Sequence, residues 1–135
     1  MIGLDTNLIV RLVTSNDPKQ AEAVRRLLNA SCTPDHPGFI NRAVLCELAW
    51  VLKRRYGYPR AMIAEVIVAL YRTPALLLED ADLLPNALRL YTTSRADLAD
   101  ILIALTNRVA GCTVTFTFDR RAAEIAGFQA LQTAG

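Results

Sequence analysis

"GFINRAVLCELAWVLKRRYGYPRAMIAEVIVALYRTPALLLE", residues 38–79, sets the architecture of this 135-residue chain. Residues 38–41 read as a short strand. Residues 42–57 then carry apolar side chains at helical period and stop at Gly57. A second helical stretch opens at Pro59 and runs to about Arg72, and "ALLLE" (75–79) reads as a buried strand. Short apolar strands joined by longer helices argue for a parallel sheet covered on both faces.

The flanks repeat the pattern. "MIGL" (1–4) is a first strand that runs into Asp5 and a helix. Asp17 and Pro18 form a cap and first position for a helix whose Ala23, Val24, Leu27 and Leu28 share a face. "CTPDHPG" (32–38) is a loop. Downstream, "DADLLPNALRLYTTS" (80–94) is helical, with Pro85 near its first turn. "RADLADILIALTNRVAG" (95–111) is apolar almost all round and is expected to be buried. "CTVTFTF" (112–118) is a strand, "DRRAAEIAG" (119–127) a short helix and "FQALQT" (128–133) a last strand. The expected fold is one domain over 1–135, a three-layer α/β/α sandwich around a central parallel sheet of about five short strands. In such folds ligands bind beyond the carboxyl ends of the strands.

Composition narrows the class. The chain is 53% hydrophobic, with mean hydropathy +0.25, which points to a core plus a buried partner surface. No stretch reaches the ~18 apolar residues of a membrane span, and the most apolar one, "MIAEVIVALY", contains Glu65. The start has neither a basic segment nor a small-residue cleavage site, so a cytoplasmic protein is expected. Fifteen Lys and Arg against thirteen Asp and Glu give +2, which excludes no partner class. Cys32, Cys46 and Cys112 are widely spaced and read as reduced core thiols.

The acidic residues carry the chemistry. Asp5 and Asp119 each follow a strand and precede a helix; an N-cap explains both, and so does a place in the ligand crevice. On a helical wheel centred on Val44, Glu47 falls at about −60°, at the margin of the inward face. Ser94 and Asp97 resemble a capping box, although Glu or Gln is usual at the second position. Asp100 lies past that cap and leads into Ile101–Leu105, so capping does not account for it. Like charges gathered this way call for a counter-ion, and an oxygen-only set suits Mg²⁺ or Mn²⁺.

Absences narrow the reaction. The only histidine, His36, sits in a turn, which excludes a two-histidine ribonuclease. No phosphate-binding glycine loop, nucleophile elbow or HExxH is present. Metal-assisted hydrolysis at phosphate is the chemistry left. A dehalogenase-type site would want Asp where Asn7 stands, and "ALLLED" offers weak material for a receiver domain. A phosphohydrolase or nuclease acting on DNA and a non-catalytic binding module are the competing readings. Lys53, Arg54, Arg55 and Arg60 form a basic cluster that reads as a solvated helix end. There is no RNP-like aromatic platform, so recognition is expected to rest on RNA shape or a few unpaired bases.

Four segments, "LDTNLIVRLV", "LCELAWVLKRRYG", "ADLADILIAL" and "TFTFDRRAA" with a following "AGF", resemble in order the signatures of PIN-domain ribonucleases. The likeness is nearest to the VapC-type toxins of bacterial and archaeal toxin–antitoxin pairs. The resemblance implies catalytic acids at Asp5, Glu47, Asp100 and Asp119, with Asp97 as an auxiliary metal ligand. Thr6, Asn7 and Thr117 would orient carboxylates or waters, while Arg11, after the first helix's start, and Arg120 and Arg121, directly after Asp119, are by position the candidates for contacts to RNA phosphates. It further implies a homodimer, Mg²⁺-dependent endonuclease activity on RNA, and inhibition by a small antitoxin.

Overall fold

A computed structural model describes residues 1–134. The chain forms two compact units, Met1–Ala81 and the segment from Asp82 onward. All strand pairs are parallel, and the class is α/β.

The first unit holds β1 (Ile2–Gly3), α1 (Thr6–Thr14), α2 (Pro18–Ser31), β2 (Gly38–Ile40), α3 (Arg42–Arg54), α4 (Arg60–Tyr71) and β3 (Leu76–Leu78). Its sheet runs β1-β2-β3, with Ile2 beside Gly38 and Gly38 beside Leu76. Gly38 lets side chains pack closely on the strand there. A Cβ there would meet Leu4 Cδ1 at 2.8 Å and Cys32 Sγ at 3.1 Å. Helix α1 packs on α2 and α3, and α3 on α4. Ile9, Ile40, Leu45, Leu48, Leu52, Ile63 and Ile67 are fully buried. Each such side chain contributes about 1.5–3 kcal/mol relative to exposure.

Local signals set the helix ends. The Asp17 carboxylate accepts from the Gln20 N–H at 3.1 Å, with Pro18 opening α2. Asn41 caps α3 through the Val44 N–H at 2.9 Å. Gly57 takes the left-handed conformation (φ 67°) and ends the turn after α3. The start of α3 is also held from β3. Arg42 makes a bidentate pair with Asp80 at 2.6 and 2.8 Å, and its backbone N–H donates to Glu79 at 2.7 Å. The Asp80 carboxylate raises the Arg42 pKa further, against the effect of burial.

The second unit holds α5 (Leu84–Thr93), α6 (Leu98–Val109), β4 (Thr115–Thr117), a 3-10 turn (Ala122–Glu124) and β5 (Phe128–Ala130). Strand β4 pairs with β5 from Thr115–Phe128 to Thr117–Ala130. Asn107 Nδ2 donates to Thr115 Oγ1 at 3.0 Å, tying the end of α6 to β4. Arg95 and Glu124 form an exposed ion pair that holds the Glu124 carboxyl below its ordinary range.

Several expectations change. The five strands are hydrogen-bonded as three plus two, not as one ladder. Ser94 does not cap α6. Its hydroxyl donates to Leu90 O, closing α5, and Asp97 is the N-cap without a side-chain cap bond. Helix α6 is not apolar all round in its burial, because Ile103 and Val109 are exposed. Residues 119–127 give only a 3-10 turn where a helix is expected. Cys32 is buried, but Cys46 is half-buried and Cys112 exposed, so only one of the three is a core thiol.

Candidate metal centre

In the first unit, Asp5 stands between β1 and α1 as the helix N-cap, where its Oδ1 accepts from the Thr6 N–H at 2.8 Å. Its backbone carbonyl accepts from Leu8 N–H at 3.1 Å. Thr6 is buried, and its hydroxyl donates to Glu47 Oε1 at 3.2 Å. One residue, Thr6, thus engages both acids, through its backbone to Asp5 and through its side chain to Glu47. The Glu47 side chain is exposed, consistent with a place at the margin of α3's inward face. Asn7 is exposed and lines a groove on α1 and α2.

In the second unit, Asp97 and Asp100 lie at the head of α6 and Asp119 follows β4. Asp119 Oδ1 accepts from the Arg121 N–H at 2.8 Å and the Ala122 N–H at 3.3 Å. Thr117 Oγ1 accepts from the Asp119 N–H at 3.0 Å. The carboxylate is therefore held by the backbone that follows it, and the Asp119 backbone by the threonine before it. Asp100 is half-buried, and its pKa is raised, first by burial and then by the negative charges of Asp119 and Asp97. Asp100 thus lies within electrostatic reach of Asp119 and Asp97.

The cationic candidates separate. Arg11 is held by neutral partners, Gln20 Oε1 at 2.6 Å, Asn16 Oδ1 at 3.3 Å and Tyr56 O–H at 3.5 Å. That positions the side chain without cancelling its charge. Arg120 and Arg121 are exposed beside Asp119.

In the second unit, Asp97, Asp100 and Asp119 offer oxygen donors alone, with like charges near Asp100, which fits a hard divalent cation. They do not form a ready-made cage. Among the described residues, no three His, Cys, Asp or Glu side chains converge as metal ligands do. Sequence reasoning missed Arg42, Glu79 and Asp80, which fix the start of the helix that carries Glu47. A contact spanning 38 residues leaves no local signal.

No curated protein matches the chain. A family model, PIN domain, matches residues 2–128. That span includes every acid described above, and the chain belongs to the PIN domain family, whose members are in general metal-dependent nucleases.

Proposed function

We propose that this PIN domain is an Mg²⁺-dependent endoribonuclease, the VapC-type toxin of a toxin–antitoxin pair, acting in the cytoplasm. The observation that carries the metal chemistry is the placing of half-buried Asp100 near Asp97 and Asp119: burial first, and the two like charges after it, raise the Asp100 pKa, and a cation would offset both. Asp5, Glu47, Asp100 and Asp119 are the proposed catalytic acids, with Asp97 auxiliary. When bound, Mg²⁺ or Mn²⁺ supplies counter-charge for phosphate and a water of lowered pKa. The protein's own residues hold the acids in place. Thr6 donates to Glu47, and the backbone N–H groups of Thr6, Arg121 and Ala122 hold the carboxylates of Asp5 and Asp119. Arg120 and Arg121 offer charge to substrate phosphates.

Hydrolysis by water leaves a 5′-phosphate and a 3′-hydroxyl and does not use the RNA 2′-hydroxyl. Two surfaces of the first unit support the partner assignments. An apolar groove of about 320 Å³ on α1 and α2, lined by Leu8, Ala23, Val24 and Leu27, suits an apolar segment of a small antitoxin. Trp50 on α3 is a large side chain left 55% exposed, of the kind a homodimer contact buries. No helix among the described residues is long and apolar enough to cross a membrane.

Purified chain incubated with RNA and Mg²⁺ should cleave it, and EDTA should stop the reaction. Mass spectrometry of the products should find 5′-phosphates. Cleavage in EDTA, 2′,3′-cyclic phosphates, or action on DNA alone would overturn the assignment.

A further inference from the structure

We infer that the exposed face of the β4–β5 sheet is a base-stacking platform for unpaired RNA, with Phe116 and Phe118 as its stacking residues. The inference rests on the ribonuclease reading above and names the form of substrate.

Phe116 and Phe118 are 56% and 68% exposed. Side chains two apart on an extended chain share a face, and the intervening Thr117 is turned to Asp119, where its hydroxyl accepts the backbone N–H. Thr115 is likewise engaged by Asn107. Both threonines are satisfied within the protein while both rings face outward. The register places exposed Gln129 beside Phe116. Exposed Leu131, whose N–H donates to Thr117 O at 2.8 Å, comes alongside Phe118. The face therefore presents two rings, one amide and one aliphatic side chain.

Two observations select nucleic acid as the occupant. Strand β4 ends at Thr117 and the chain bends at Phe118, one residue before Asp119, so a base held by the rings lies next to the acid in the chain. Arg120 and Arg121 follow, both exposed, and supply the charge a phosphate backbone needs. Strand geometry fits as well. Two residues advance about 6.6 Å, roughly twice the 3.4 Å spacing of stacked bases, which leaves room for one base between the rings. Bases in a duplex already stack on each other and do not offer their faces, so the platform selects single strands. Strand propensity alone placed these phenylalanines in the sequence, and it does not say whether a face is covered.

The test uses the full chain and an unstructured, fluorescein-labelled 12-nucleotide RNA, with a hairpin RNA as comparator, read by anisotropy in EDTA so that nothing is cleaved. Phe116→Ala and Phe118→Ala should each weaken single-strand binding about 10-fold. Phe118→Trp should keep it, which separates stacking from folding, and the hairpin should bind more weakly than the single strand. In Mg²⁺ the alanine variants should raise KM. Equal affinity of wild type and both alanine variants would overturn the platform, as would preference for the hairpin. So would a change of oligomeric state on light scattering without loss of RNA affinity, which would mark a protein interface. Because binding is read without metal, loss of the platform with EDTA-sensitive cleavage intact refutes only this inference. Intact stacking without any cleavage refutes the ribonuclease reading.

Discussion

Asp5 has two jobs that one pair of substitutions separates. Its carboxylate caps α1 through the Thr6 N–H at 2.8 Å, and it is proposed as a metal ligand. Asp5→Ala removes the acceptor, and loss of an N-cap costs about 1 kcal/mol. Asp5→Asn keeps an oxygen at the same place and loses only the charge–dipole attraction, about 0.3 kcal/mol for an exposed group. Unfolding entropy of about 2.1 cal/mol/K per residue gives roughly 0.28 kcal/mol/K over 135 residues. The alanine variant should therefore melt about 3–4 °C lower and the asparagine variant about 1 °C lower. Stability predicts the order wild type, Asn, Ala. Catalysis predicts a different one, because an amide is a poor ligand for a hard cation. Both variants should lose at least about 100-fold in cleavage. Differential scanning fluorimetry beside a cleavage time course reads both quantities on the same samples. If Asp5→Asn cleaves within threefold of wild type, Asp5 is a cap and nothing more.

Thr6→Val keeps volume and removes the donor to Glu47; since Glu47 is exposed and gains water, stability should fall by no more than about 1 kcal/mol, while cleavage drops about 10-fold or more. Thr6→Ser should restore it. Asp80→Ala leaves Arg42 without its bidentate partner, and with Asp80 mostly buried and Arg42 partly exposed the loss should be about 1–3 kcal/mol by urea denaturation. Asp100 supplies the pH test. Its folded pKa lies above its unfolded value, so its contribution is fully present below the unfolded pKa and is lost as pH rises through the folded one. Asp100→Asn should therefore melt higher than wild type at neutral pH, with the gap closing below about pH 4. A gap that widens on acidification would show the sign to be wrong.

Local chemistry was legible from residues alone. The Asp17–Pro18 start of α2, the stop at Gly57 and Pro85 in the first turn of α5 are decided within a few residues, and the structure has all three. Non-local matters were not. Whether five short strands share one ladder depends on backbone pairing, which side-chain pattern does not encode, and the ladder divides in two. The Ser94–Asp97 box failed because α6 begins only at Leu98, with Asp97 itself at the N-cap, and the Ser94 hydroxyl is used locally, donating to Leu90 O at 2.8 Å and accepting from the Ala96 N–H at 3.3 Å. The candidate acids were visible in the sequence, though Asp5 and Asp119 also read as caps, and Asp100, read as lying past one, falls in the first turn of α6 behind the Asp97 N-cap. Their partners were less so: Thr6 reaches Glu47 across 41 residues of sequence.

The central claim is that these carboxylates hold a divalent cation, and Mn²⁺ binding followed by electron paramagnetic resonance tests it without recourse to any RNA. The wild-type chain should take up Mn²⁺, Mg²⁺ should compete for it, and Asp100→Asn and Asp119→Asn should each weaken uptake at least about 10-fold. Equal Mn²⁺ binding by wild type and both variants would contradict the account.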